Sequence, residues 1–221
     1  MPRVARIVIA GLPHHITQRG NNQQEAFLCD KDRHVYVHFL AQYAREFGLI
    51  VDAYCLMPNH VHLVATPREV TSLASVVGLT HQRYAQYFNL EHERSGHLWQ
   101  SRFFSCALDE AHYWSALCYV ERNPVRAGLA HQAWDYPWSS AAAHVGAHDT
   151  TSLLDVEAWR GSVGFEAWKE QLGHSQPDDR LQSLRTNTRT GRPLGGEAFL
   201  RDLERVLGRR LQPLPVGRPR K

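Results

Sequence analysis

Hydrophobic and polar residues follow two different periods along the first 145 residues of the chain. Alternation with a period of two predicts a strand, and apolar residues spaced three or four apart predict a helix that faces a core. These patterns predict strands at residues 13–19, 49–57, 60–66 and within 98–108, and helices at residues 30–48, 71–91 and 110–122. The order of these elements indicates an α+β fold, with one antiparallel sheet flanked by helices.

The rest of the chain has a weaker pattern. We expect residues 1–145 to form one domain that closes near Trp138, followed by a short helical extension or linker at residues 146–177. Residues 178–221 are basic, and within them residues 197–207 are amphipathic. We therefore expect a basic C-terminal tail with one amphipathic helix.

Composition limits the class of protein. Hydrophobic residues make up 43% of the 221 residues, which is enough for a substantial core. No apolar run approaches the roughly 18 residues of a membrane span. The four cysteines are widely separated, which favours neither a zinc ribbon nor a disulfide framework. The expected protein is therefore cytoplasmic and has no membrane partner.

Positive charge is concentrated near the C-terminus. The whole chain has a formal net charge of +3, but residues 178–221 contain eleven Lys and Arg against five Asp and Glu. This segment has a net charge of +6, and the preceding residues have −3. An arginine-rich segment on a near-neutral body favours contact with a phosphate backbone, with a solvated coil as the alternative.

The third predicted strand contains two histidines, His60 and His62, separated by Val61. Because side chains alternate along a strand, both imidazoles should lie on one face, which we expect to be exposed, while Val61 and Leu63 face the core. Neutral imidazole is the commonest protein ligand of a divalent metal. The pair is therefore half of a candidate metal site. The alternative is one surface histidine and one hydrogen-bonded histidine at a sheet edge.

The last predicted helix contains two tyrosines with different expected positions. At 100° per residue, Tyr113 belongs to the buried face, whereas Tyr119 lies on its flank. Asn123 lies on the same flank, one turn later, directly before Pro124, which is expected to end the helix. A phenol and an amide one turn apart can both reach a common point outside the helix.

Several motifs together resemble a known family. They are Met57-Pro58-Asn59-His60-Val61-His62, Leu98-Trp99-Gln100-Ser101-Arg102-Phe103 and Tyr119-Val120-Glu121-Arg122-Asn123-Pro124-Val125-Arg126-Ala127-Gly128-Leu129. This combination is similar to the Y1 transposases of the insertion-sequence 200/605 type and, more narrowly, to the REP-associated tyrosine transposases. The resemblance covers roughly the first 145 residues. It implies the HUH fold, which is ferredoxin-like or RRM-like, in that part of the chain.

The resemblance also implies a catalytic site. In HUH endonucleases, two histidines flanking one hydrophobic residue bind a divalent metal, and a tyrosine on a helix attacks DNA. By this resemblance His60 and His62 are catalytic ligands of Mg²⁺ or Mn²⁺, and Tyr119 is the catalytic nucleophile. The amide of Asn123 is similar to the family's third metal ligand, although minimal transposases usually have Gln there.

The implied function is an enzyme that cleaves and rejoins single-stranded DNA at REP-like hairpins through a 5′-phosphotyrosine. One alternative is a sequence-specific DNA-binding protein that keeps the fold without the chemistry, and another is a metal-dependent hydrolase of a small phosphate. The expected partner is single-stranded or hairpin DNA, and the chain is expected to act as a monomer or a homodimer. Five arginines are candidate DNA contacts: Arg19, Arg102, Arg192, Arg218 and Arg220.

Overall fold

A computed structural model describes residues 6–211. The strands are β1 (His14–Arg19), β2 (Leu49–Met57), β3 (His60–Pro67) and β4 (Phe104–Ala107). The helices are α1 (Asp30–Phe47), α2 (Ser72–Glu91), α3 (Glu110–Glu121), α4 (Asn123–Arg126), α5 (Ala141–His144), α6 (Val156–Ser162), α7 (Phe165–Gly173), α8 (Asp178–Thr190) and α9 (Glu197–Leu207). The predicted α+β fold class is confirmed.

The four strands form one antiparallel sheet in the order β2-β3-β1-β4. β2 and β3 form a hairpin in which Met57 pairs with His60, so Pro58 and Asn59 make a tight turn between the two predicted strands. β1 pairs with the other side of β3 and places Thr17 opposite His62 and Arg19 opposite His60. The two histidines therefore lie on a central strand.

Helices cover both faces of the sheet. α1 and α2 pack on the face that contains Val61 and Leu63, as the alternation predicts. The opposite face, with Val64 and Cys106, packs against α3 and α8, and α7 packs on α3. The prediction that the face bearing His62 is exposed is therefore wrong. Six of the eight residues of β3 are buried, as is typical of a strand that is covered on both faces.

The fourth strand lies within the predicted range and begins at Phe104, after a loop at residues 98–103 in which Trp99 makes an isolated bridge to Gly20. α3 ends at Glu121, close to the predicted end, but Pro124 does not stop helix formation after it. This proline lies in the first turn of α4, where the missing N–H of proline has no helical partner to lose.

The C-terminal region contains more helix than the sequence pattern predicts. The amphipathic helix at residues 197–207 is confirmed as α9, and residues 146–177 form α6 and α7. The expectation of one helix in the tail is wrong, because α8 precedes α9. α8 buries Leu181, Leu184 and Thr188 against β4 and α3, and these few positions make a pattern too sparse to identify in advance. The three-part division of the chain stays a prediction.

A buried acidic side chain fixes α3 to its neighbours. Glu121, at the end of α3, is fully buried. Its Oε1 accepts hydrogen bonds from Ser140 Oγ and His144 Nδ1, and its Oε2 accepts one from Trp168 Nε1. Trp168 belongs to α7, and His144 ends α5. These contacts tie the helix that contains Tyr119 to the C-terminal half of the chain.

Within residues 6–211, no helix combines the length and the apolar character that a bilayer-crossing segment needs.

Candidate active site

The predicted site residues come together in one pocket of about 770 Å³. His60 and His62 line it from β3, Tyr119 from α3 and Asn123 from α4. The rings of His60 and His62 lie 4.9 Å apart between centroids, and the Tyr119 ring is 5.4 Å from the His62 ring. The pocket therefore collects two imidazoles, a phenol and an amide from three elements.

Both ring Nδ1 atoms of the histidine pair have hydrogen-bond partners. His60 Nδ1 donates to Asn59 Oδ1 at 2.6 Å, so the turn residue orients the ring next to it. His62 Nδ1 lies 3.0 Å from Nε2 of His15, which comes from β1. Burial lowers the pKa of His60 to about 4 and holds the pKa of His62 well below its ordinary value. Both rings are therefore neutral at pH 7, as a metal ligand must be.

Tyr119 is more enclosed than its flank position predicts. Its side chain is 4% exposed, because α8 packs over it. The Arg126 guanidinium lies 4.3 Å from the ring centroid and donates a 2.7 Å hydrogen bond to the Tyr119 carbonyl. Nε of Arg185, from α8, makes a long 3.4 Å hydrogen bond to the phenol oxygen. The phenol oxygen thus lies beside a cationic group and near the histidine pair.

Tyr113 occupies a different environment from Tyr119. It is half-buried and forms an edge contact with the Trp114 ring at 4.9 Å. Its hydroxyl is hydrogen-bonded to Asp52, and it does not line the pocket of Tyr119. The prediction that Tyr113 faces the interior agrees with this position.

The donor set fits one open-sided divalent ion. Within residues 6–211 there is no group of three or more His, Cys, Asp and Glu that could form a closed metal site. The pocket is lined by His60, His62 and Asn123, and Asn123 is 8% exposed. The atom of Asn123 that could bind a metal is its amide oxygen, since the NH₂ group can only donate. Two imidazoles and an amide suit a metal that keeps positions for water and phosphate, such as Mg²⁺ or Mn²⁺.

A family model described as "Transposase IS200 like" matches residues 10–123, more than half of the chain. The chain belongs to the IS200-like transposase family. A search of curated proteins finds no match.

Two solved structures are similar to this transposase. One, described as a REP-associated tyrosine transposase bound to a REP hairpin, is 21% identical, covers 71% of this chain and 90% of its own, and superposes with a TM-score of 0.54. It shows that the two proteins share a fold. The other is a putative transposase from Deinococcus radiodurans R1, also 21% identical, covering 55% of this chain and 97% of its own with a TM-score of 0.38.

Several residues that were not predicted from the sequence also line the pocket of this transposase. Among them are His15 from β1 and Arg185 and Thr188 from α8. His15 Nδ1 lies 2.7 Å from Thr188 Oγ1, a contact between residues 173 positions apart. The sequence contains no motif that pairs these positions. Only the basic character of residues 178–221 indicated a role for this segment.

The five candidate DNA-contacting arginines have different positions. Arg19 lines the pocket with the histidine pair. Arg102 lines a neighbouring groove of about 720 Å³ together with Trp99, and Arg192 is exposed just after α8. Arg218 and Arg220 lie outside the described residues. The two concavities share Gln100 and Ser101, so Arg19 and Arg102 lie along one continuous surface.

Proposed function

We propose that this transposase is a metal-dependent endonuclease and strand transferase that acts on single-stranded DNA at REP-like hairpins. The observation that best supports this proposal is the placement of Tyr119 in one pocket with His60 and His62. A phenol beside two neutral imidazoles matches a covalent nucleophile next to an open metal site.

The proposed reaction exchanges one phosphodiester for another. The Tyr119 oxygen attacks the phosphorus, the bond from phosphorus to tyrosine forms, and the bond to the 3′ oxygen of DNA breaks. The phenol proton is balanced by the proton that the departing 3′ oxygen gains. A 5′-phosphotyrosine remains, and attack by a 3′ hydroxyl reverses the step without a nucleotide cofactor.

The residues of the pocket have separate parts in this reaction. His60 and His62, with Asn123, would hold the Mg²⁺ or Mn²⁺, which when bound supplies Lewis-acid polarisation of the phosphate. Arg185 donates to the oxygen that reacts. Arg19, at the same pocket, offers a guanidinium to a non-bridging phosphate oxygen. These assignments need no group from outside the chain except the metal and DNA.

Hairpin DNA is the proposed substrate for two reasons. The similar structure described above is bound to a REP hairpin. In this chain, the pocket with Arg19 adjoins the groove with Arg102, so a strand leaving the pocket meets further positive charge. Arg192, exposed just after α8, is a further candidate contact with the DNA backbone.

The test is the covalent adduct between protein and DNA. We expect Tyr119→Phe to abolish the adduct with a labelled REP-like hairpin in Mn²⁺, because it removes one oxygen and little packing. Hairpin affinity should stay within a few-fold, measured by gel shift. Tyr113→Phe is the matched control on the same helix and should form the adduct. An adduct that persists in Tyr119→Phe would contradict the assignment, and a wild-type protein that binds the hairpin without any adduct would favour the DNA-binding alternative.

A further inference from the structure

A chain of hydrogen bonds leads from α8 to His62. Thr188 Oγ1 donates to the Leu184 carbonyl at 2.8 Å, which uses its one proton. The same oxygen lies 2.7 Å from His15 Nδ1. Since the hydroxyl proton is already directed at Leu184, the oxygen accepts in this second contact. His15 therefore has its proton on Nδ1.

The position of the proton on His15 determines the position of the proton on His62. His15 is buried, and its two ring nitrogens face a hydroxyl and a second imidazole rather than a carboxylate. A buried charge without an acidic partner is costly, so the ring is neutral and its Nε2 is an acceptor. His15 Nε2 lies 3.0 Å from His62 Nδ1, which must then donate. His62, also neutral, is left with an unprotonated Nε2. The exposed fractions of Thr188, His15 and His62 are 1%, 1% and 6%, so water does not compete readily for these bonds.

We propose that Thr188 and His15 are positioning residues that hold His62 in the tautomer whose Nε2 can bind the metal. This inference rests on the proposed function, since it gives the free Nε2 its purpose. Ligating histidines generally donate their other ring N–H to a partner that fixes the tautomer. Here that partner is a second imidazole, whose own orientation depends on the C-terminal helix.

Hydrogen bonds in the opposite direction along this chain would prevent His62 from binding a metal through Nε2. If Thr188 donated to His15, then His15 Nε2 would be the donor to His62, and His62 would have its proton on Nε2. A protonated Nε2 has no lone pair for a metal. The Leu184 carbonyl therefore determines the tautomer of His62, although the two residues are not in contact. Cys106 Sγ, 3.2 Å from Thr188 Oγ1, is a weaker partner of the same hydroxyl.

The first experiment reads the tautomers directly in the metal-free, full-length protein. Long-range ¹H–¹⁵N correlation spectra of histidine-labelled protein distinguish protonation at Nδ1 from protonation at Nε2. We expect protonated Nδ1 on both His15 and His62. A His62 ring protonated at Nε2 would overturn the proposal, whatever the activity of the protein.

The second experiment measures Mn²⁺ binding by calorimetry in three variants. Thr188→Val keeps the shape but removes the acceptor, so we expect about 10–100-fold weaker binding. Thr188→Ser restores the hydroxyl and should recover most of the affinity. The matched control is Thr190→Val on the same helix, whose hydroxyl donates only within α8 and is exposed, and it should bind like the wild type.

The outcomes separate the two proposals. If the wild type binds Mn²⁺ and Thr188→Val binds it equally well, the positioning role is wrong while the proposed function stands. If the wild type binds no Mn²⁺, the metal-dependent function fails and the positioning role fails with it. Thermal unfolding of each variant verifies that weaker binding does not reflect a loss of fold.

Discussion

The buried carboxylate of Glu121 offers a sharp test of how the tyrosine helix is held. Its two oxygens accept from three donors, Ser140, His144 and Trp168, and water has no access. We consider Glu121→Gln, which keeps the volume and shape of the side chain. The change converts one acceptor oxygen into an NH₂ donor and removes the negative charge.

The structure gives the size of the effect. Whichever way the amide turns, at least one buried donor faces another donor, which costs about 1–3 kcal/mol. The remaining hydrogen bonds lose their charge assistance, roughly 1 kcal/mol each. We therefore expect Glu121→Gln to lower the free energy of unfolding by about 3–5 kcal/mol.

Urea unfolding followed by circular dichroism measures this difference. The control is Glu110→Gln in the exposed first turn of α3, where the change should stay within about 0.5 kcal/mol of the wild type. If Glu121→Gln is as stable as the control, the three hydrogen bonds do not hold α3 and the reasoning is refuted.

Three other predictions follow from the site and its supports. His62→Ala should eliminate the DNA adduct, as should EDTA with the wild type, and undiminished cleavage in EDTA would exclude a metal mechanism. Deleting residues 178–221 removes Leu181 and Leu184 from the core, so calorimetry should show a large loss of thermal stability, and an unchanged melting temperature would contradict the packing of α8. Burial raises the pKa of Asp52 to about 6 in the folded protein, whereas the unfolded chain has the ordinary pKa of 3.8. The folded protein therefore binds this proton more tightly, and the free energy of unfolding falls as the pH rises from about 4 to 6. The free energy of unfolding of Asp52→Asn, measured in urea relative to the wild type, should therefore be more favourable at pH 8 than at pH 4. An equal difference between variant and wild type at both pH values would refute the raised pKa of Asp52.

The sequence predicted the sheet and its helices well because their signals are local. Alternation placed Val61 and Leu63 on one face of β3, and Gly48 marked the end of α1. The hairpin turn at Pro58 was equally clear. These features depend on residues that are close together in the sequence, so the sequence pattern is enough to predict them.

The covering of the site was not predictable in the same way. Nothing near His62 indicates that α3 and α8 bury its face of the sheet, and nothing near Tyr119 indicates that Arg185 reaches it. α8 has few apolar residues, so its contribution appears only when the whole fold is assembled. The catalytic and metal-binding residues predicted from the sequence all lie within residues 1–145, so Arg185 and Thr188, which line the same pocket, were left out.

The residues that orient the two histidines are synthesised at different times. His60 is oriented by Asn59, its immediate neighbour, as soon as the hairpin forms. His62 depends on His15 and, through it, on Thr188, which leaves the ribosome far later. If Thr188 fixes the tautomer as proposed, a nascent or prematurely ended chain would lack a complete metal site. The ability to cut DNA would then arise only once α8 has been made.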